Sequence, residues 1–190
     1  MEKGCRKGGS HKTVDSHNSS ICCGCSCIFR QIVIGYKQVN NLNLPEVMQM
    51  ERLTKESDGI LQERFGKDSI LALATTVDNI PYVRSVDAFY EDGAFYVLTH
   101  GLSNKMKQIE QNPTVALSGE WFTAQGKGFN LGYFGKAENA CIAAKMRDVF
   151  SAWIDNGHNN FKDINTCILC IELTSGILFS NGTRYEIDFT

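Results

Sequence analysis

The sequence predicts a mainly β protein, a closed or partly closed antiparallel barrel with a few flanking helices, and three observations carry that expectation. Between residues 70 and 123 the chain breaks into short runs rich in Val, Ile, Tyr, Phe and Thr, the side chains that suit a half-buried pleated surface. The runs are punctuated by turn signals, Asp78-Asn79, Glu91-Asp92-Gly93 and, near the C-terminus, Asn181-Gly182, the strongest hairpin signal in the chain. Few segments show helical spacing, so about seven strands must bury their apolar faces largely on one another.

In chain order, residues 1–49 come first and read as an extension, with a domain following over 50–190. The extension is rich in Gly, Ser, Asn and Lys and has no sustained period beyond Ile32-Val33-Ile34. That is the pattern of a disordered tail, or of a stretch left untranslated if Met48 or Met50 is the true start. Five of the eight cysteines fall there. Four of them form Cys22-Cys23-Gly24-Cys25-Ser26-Cys27, thiols suited to zinc or copper(I). The spacing is not a CxxC pair, and neither His11 nor His17 stands at a finger-like distance, so no metal is expected.

Pro45 can open a helix, and Thr54 can cap one that runs to Phe65 and ends at Gly66, with Asp58-Gly59 a weak point inside it. Strands follow over Ile70 to Val77, Pro81 to Tyr90 and Ala94 to Thr99, a three-stranded meander. Ser103 stands at the N-cap of a short helix that Pro113 terminates, with Met106 and Ile109 on one face. Thr114 to Thr123 reads as one strand. A glycine-spotted stretch, Gly126 to Gly132, then leads into a strand through Tyr133, Phe134 and Ala137. Ile142, Met146, Val149, Phe150 and Trp153 mark the core face of a helix that Asn156-Gly157 can end. Thr166 to Thr174, Gly176 to Ser180 and Thr183 to Phe189 are the last expected strands.

Composition excludes some function classes. The chain has 43% hydrophobic and 21% charged residues and a formal charge of −2, ordinary for a globular protein and without a basic field for nucleic acid. No apolar run reaches the roughly 18 residues of a membrane span, and Arg30 and Gln31 interrupt the only run resembling an export signal. A cytoplasmic protein with reduced cysteines is expected.

The chemistry concentrates in Thr99-His100-Gly101-Leu102-Ser103-Asn104-Lys105, which joins a strand to a helix N-terminus. Unpaired amides and the helix dipole favour an anion there. Lys105 and Lys107 lie in the first turn, where cations oppose the dipole unless something negative is bound. A solvated surface turn is the plainer alternative. Arg84, mid-strand in Pro81-Tyr82-Val83-Arg84-Ser85-Val86-Asp87, can supply a second cation through an adjacent antiparallel strand. A solvated strand face is again the alternative.

The order of these pieces resembles the FMN-binding split barrels of the pyridoxamine 5'-phosphate oxidase superfamily. The likeness runs over residues 60–189: a strand bearing Val-Arg-x-Val, a strand ending in Thr, Ser-x-Lys opening a helix that ends Gln-Ile-Glu-Gln-Asn-Pro, then Phe134-Gly135-Lys136-Ala137-Glu138. It implies a six- to seven-stranded antiparallel split β-barrel of Greek-key type with flanking helices. It also implies FMN as cofactor, with Arg84, Lys105 and Ser103, beside Asn104, holding its phosphate. Backbone over Val83, Arg84, Ser85, Val86 and Asp87 would line the isoalloxazine, and Leu98 and Thr99 would touch it. By the same resemblance the protein is a homodimer with FMN at the interface, and Asn130 stands where relatives place a glutamine that reaches the partner's flavin.

Two departures narrow the resemblance. Arg84 is followed by Ser85-Val86-Asp87-Ala88-Phe89 rather than the Leu-Leu-Lys of true pyridoxamine-phosphate oxidases, and the chain ends Tyr185-Glu186-Ile187-Asp188-Phe189-Thr190 rather than in their substrate-holding segment. The likeness is therefore to nitroimidazole-resistance and general-stress flavoproteins, some of whose relatives bind haem or a deazaflavin. The leading expectation is an FMN-dependent oxidoreductase carrying electrons from NAD(P)H to a nitro compound or quinone. The rival is a flavin- or haem-binding carrier or sensor without turnover.

Other residues carry less. Cys167 and Cys170 have metal spacing, but three apart on a strand they face opposite ways and read as core. His100 is a second-line donor or merely exposed, His158 reads as surface, and Trp121 and Phe122 pack the barrel or shield a flavin. No nucleophile has a recognisable base, so a hydrolase has no support.

Overall fold

The computed structural model describes residues 50–190. The expectations placed on residues 1–49, the cysteine cluster and Pro45 among them, lie outside the described residues.

The described chain begins with a two-residue strand β1 (Glu51–Arg52) and helix α1 (Lys55–Phe65). Strands β2 (Ser69–Val77), β3 (Ile80–Glu91) and β4 (Ala94–His100) form the expected meander, followed by helix α2 (Asn104–Gln111). Strands β5 (Thr114–Gly119) and β6 (Phe122–Tyr133) precede a short 3-10 turn and helix α3 (Ala140–Val149), and β7 (Thr166–Ser180) and β8 (Thr183–Asp188) finish the chain. The sheet order is β1-β8-β7-β4-β3-β2-β5-β6, and β6 returns to pair with β7. Strands β2 to β7 thus close a six-stranded antiparallel barrel, which β8 and β1 extend at one edge.

The tight turns follow local chemistry. Asp78-Asn79, Asp92-Gly93 and Asn181-Gly182 all hold positive φ, the left-handed conformation that Asn, Asp and Gly tolerate best and that a two-residue hairpin turn demands. Inward residues alternate with outward ones. Leu71, Leu73, Val86, Ala88, Tyr90, Phe95, Val97, Val115, Leu117, Leu169 and Ile171 fill the barrel. A second apolar cluster lies outside it, where Met146 of α3 with Phe150 and Ile154 just beyond covers Phe89 and Ile168. The N-terminal part of β7 is therefore buried on both faces, Cys167 inside the barrel and Cys170 outside, in accord with the reading of both as core residues.

Five sequence readings need correction. Thr114 to Thr123 is not one strand: the chain turns at Glu120-Trp121, with Trp121 at φ 52. Arg64 Nη1 holds the Glu120 carbonyl at 3.0 Å and the Phe179 amide holds that of Trp121 at 2.8 Å, so tertiary contacts make a turn that no local residue signals. The glycine-spotted stretch is strand rather than loop. A Cβ on Gly126 would stand 2.4 Å from the Glu172 carbonyl oxygen, so glycine lets β6 cross β7 closely. The strand expected through Ala137 stops at Tyr133, and Ala137 opens the 3-10 turn. Helix α3 ends at Val149, after which Phe150 and Ile154 carry its apolar face onward through turns, and β7 is a single strand where two were expected.

The barrel is split at one place. β3 pairs with β2 from Ile80 to Ala88 but with β4 only from Ala88 to Glu91, whereas β4 pairs with β7 along its whole length. Beyond Ala88 and Val97 the two strands diverge. One edge of Ile80–Asp87 and the facing edge of Leu98–His100 are left without ladder partners among the described residues, and the N-terminus of α2 follows directly after that gap.

Candidate functional site: a cationic cradle at the split

Helix α2 begins in an unusual electrostatic state. Ser103 occupies the N-cap with extended backbone, φ −66 and ψ 156, yet its side chain makes no capping hydrogen bond. Its Oγ is buried and has no hydrogen-bond partner among the described residues. A buried hydroxyl without a partner costs roughly 1 to 3 kcal/mol, so such an atom calls for an ordered water, an ion or a ligand to pair with it. The first turn of α2 holds no acid. It holds Lys105 and Lys107 instead.

Lys105 turns back over the helix N-terminus, where its Nζ donates to Thr99 Oγ1 at 2.8 Å. Arg84 approaches from β3. Its Nη1 donates to the Leu73 carbonyl at 3.2 Å and to Thr75 Oγ1 at 2.8 Å, and its Nη2 donates to Gln108 Oε1 at 2.7 Å. Burial and then the neighbouring Arg84 charge hold the Lys105 pKa below the ordinary lysine value, and burial lowers that of Arg84. Among the described residues no carboxylate lies within ion-pairing distance of either cation. Two part-buried cations repelling one another beside an uncapped helix and an orphaned hydroxyl form a site complementary to a small dianion.

The expected residues divide into those the structure gathers and those it leaves apart. Thr99 and Lys105 are hydrogen-bonded and Arg84 lies close enough to Lys105 to act on its charge, while Ser103 and Asn104 open the same helix as Lys105. Val83, Ser85 and Asp87 lie exposed on the unpaired edge of β3, with Arg84 and Val86 turned the other way. Burial and then Asp68 raise the Asp87 carboxyl above its ordinary range. Leu98 packs against the second apolar cluster beneath the split. Asn130 stands apart on β6 at an irregularity in the ladder, exposed, its Oδ1 accepting from the Gly132 amide at 2.9 Å.

His100 is exposed and engaged elsewhere, its Nε2 3.2 Å from Asp163 Oδ2 and its Nδ1 accepting from the Leu102 amide at 3.3 Å. His158 is exposed, Phe122 is core, and Trp121 is 70% exposed. Sequence reasoning missed Thr75 and Gln108. Thr75 was detectable in principle, because Leu73 lies opposite Arg84 and Thr75 is its diagonal neighbour on the same face. Gln108, one helical turn beyond Lys105, carried no signal of its own.

An antiparallel barrel opened between two strands, with a cationic cradle at the helix that follows the opening, defines a class of protein: a split barrel. No family model matches the chain, and no curated protein sequence does. Solved structures are similar to it. A protein related to general stress protein 26, of the pyridoxinephosphate oxidase family, from Clostridium acetobutylicum superposes with a TM-score of 0.51 at 13% identity, over 70% of this chain and 92% of its own. A NimC/NimA family protein from the same organism gives 0.50 at 21% identity over 69% and 91%. A FAD-binding protein from Mesorhizobium loti gives 0.51 at 16% identity over 65% and 92%. The chain has the pyridoxamine 5'-phosphate oxidase-like split-barrel fold, in agreement with the resemblance read from its sequence. No helix among the described residues is long and apolar enough to cross a membrane.

Proposed function

We propose that residues 50–190 form an FMN-binding oxidoreductase domain that passes electrons from NAD(P)H to a small acceptor, a nitro compound or a quinone, in the cytoplasm, with residues 1–49 as an appendage. The observation that carries this reading is the cradle itself: at an uncapped helix, a buried Ser103 Oγ with no partner among the described residues, and two neighbouring cations that no described carboxylate compensates. The FAD-binding neighbour supports a flavin in this fold.

The residues fit the phosphate of FMN. Lys105 and Arg84 would neutralise its charge, Ser103 would donate its hydroxyl, and the free amides at the start of α2 would complete the shell. The unpaired backbone of Val83 to Asp87 would border the ring, and Leu98 and Thr99 would close its other side. When bound, a flavin supplies hydride acceptance and electron transfer, so the protein needs to bind, orient and exclude water rather than provide an acid–base pair.

A second copy of the chain completes the proposal. The outer face of β2, β3 and β5 presents Ala72, Ala74, Val83 and Ala116 around a cavity of about 490 Å³, with Ile70 72% and Val83 68% exposed. Small side chains flanked by exposed apolar ones suit close sheet-to-sheet packing. In such a dimer Asn130 would reach toward the partner's flavin.

The test titrates FMN and riboflavin into flavin-free protein and follows NADH and NADPH consumption with each acceptor. Lys105→Ala and Arg84→Ala should each weaken FMN about 10- to 100-fold and leave riboflavin, which lacks the phosphate, unaffected. Equal FMN affinity in wild type and both variants removes the phosphate site. A haem spectrum in the purified protein removes the flavin, and efficient oxidation of pyridoxamine phosphate overturns the proposed reaction.

A further inference from the structure

We infer that Gln108 and Thr75 are positioning residues, forming a charge-neutral clamp that fixes Arg84 for the phosphate while leaving its positive charge uncompensated. This rests on the reading of the cradle as a flavin-phosphate site.

The clamp is a closed triangle. Gln108 Oε1 accepts from Arg84 Nη2 at 2.7 Å and from Thr75 Oγ1 at 2.7 Å, and Thr75 Oγ1 accepts from Arg84 Nη1 at 2.8 Å. The Leu73 carbonyl adds a third acceptor for Nη1-side protons at 3.2 Å. Thr75 is 1% exposed, so the triangle is anchored on a fully packed strand position. Its other corner lies on α2, one turn from Lys105. The clamp therefore ties a cation on β3 to the helix that carries the second cation, and it holds the two at a fixed spacing despite their repulsion.

The chemical identity of the partners matters more than their number. A part-buried guanidinium is ordinarily held by a carboxylate, whose charge-assisted hydrogen bonds are the stronger ones. Arg84 instead meets a hydroxyl, an amide oxygen and a backbone carbonyl, all neutral. These acceptors use three of the five guanidinium N–H donors and cancel none of its charge. Two donors and the whole charge are left for a ligand. An Asp or Glu at either clamp position would hold Arg84 as firmly and neutralise the site.

The experiment measures FMN, riboflavin and inorganic phosphate affinity on the full-length chain carrying Gln108→Leu, Gln108→Glu, Thr75→Val or Thr75→Ser. Gln108→Leu and Thr75→Val should weaken FMN about tenfold with riboflavin unchanged. Thr75→Ser, which keeps the hydroxyl, should restore wild-type affinity. Gln108→Glu should weaken FMN and inorganic phosphate more than Gln108→Leu does, although it preserves size and hydrogen bonding, and it serves as the reporter if the leucine variant fails to fold. Unchanged FMN affinity in Gln108→Leu and Gln108→Glu overturns the clamp, as does a loss that is equal for FMN and riboflavin, which is the mark of a merely structural role. Failure of the underlying reading shows separately, in wild-type protein that binds FMN no better than riboflavin.

Discussion

Helices α1 and α2 both begin with a hydroxyl residue at the N-cap, yet they solve the problem of their exposed amides in opposite ways. In α1, Thr54 Oγ1 accepts from the Ser57 amide at 3.2 Å and Ser57 Oγ accepts from the Thr54 amide at 3.1 Å, a reciprocal box, with Glu56 and Asp58 in the first turn to meet the dipole. In α2, Ser103 caps nothing, no acid is present, and Lys105 and Lys107 stand where acids would serve the helix. The first helix is complete within its own sequence. The second is left without a cap or an acid among the described residues, and on the proposed reading the anion that its own sequence withholds is the flavin phosphate.

The largest test of this contrast makes α2 resemble α1. Ser103→Asp supplies the missing cap and a negative charge, so the free protein should gain about 1 kcal/mol of stability while FMN affinity falls 100-fold or more, at the upper end of what loss of phosphate contacts allows. Thermal melts read the first effect and flavin fluorescence titration the second. Loss of stability together with retained FMN binding would break the comparison.

A pH series sharpens it with a smaller effect. Burial and then Arg84 disfavour the Lys105 ammonium in the free protein, holding its pKa below the usual 10.5, whereas a bound phosphate favours that ammonium. Above about pH 6, where the phosphate is a dianion, FMN affinity should therefore be steady up to the depressed pKa and decline as pH rises through it toward the higher bound value. The ratio of FMN to riboflavin affinity isolates this effect, because it cancels whatever the shared ring contributes. The fold responds with the other sign: charged Lys105 destabilises the free protein, so stability at this group increases as pH rises from below the depressed pKa toward 10.5. A ratio that stays constant up to that pH would remove Lys105 from the site.

The smallest effect lies on α1. Thr54→Ala breaks the capping box and should cost about 1 kcal/mol, or roughly 2 to 4 °C in melting temperature for a chain of this size, with FMN affinity unchanged. Any coupling to flavin binding would show that the two helices are not independent in the way their caps imply.

How much of this was legible in the sequence follows from how local each cause is. The turns at Asp78-Asn79, Asp92-Gly93 and Asn181-Gly182 were readable because positive φ selects residue types directly. The turn at Glu120-Trp121 was not, because distant Arg64 and Phe179 hold it. The role of Gly126 was misread for a related reason, since a neighbouring strand, rather than a turn, demands the missing side chain. At the site, Ser103 and Lys105 announced themselves by standing in the wrong place on a helix. Thr75 and Gln108 are unremarkable in their own segments and gain meaning only through the register that sets Arg84 across from Leu73.

Strand β7 has a temporal consequence. It is the common partner of β4, β6 and β8, and it begins only at Thr166. During synthesis from the ribosome, β2 to β6 can form hairpins, but the ring stays open until those last residues emerge, and pairings across such long sequence separations form slowly. Thr99, which receives the Lys105 ammonium, is paired with Cys167 of that same strand. A nascent chain that has not yet released β7 would thus display the meander with neither a closed interior nor an assembled cradle, and on the proposed function cofactor capture would be a late event of biogenesis rather than a template for it.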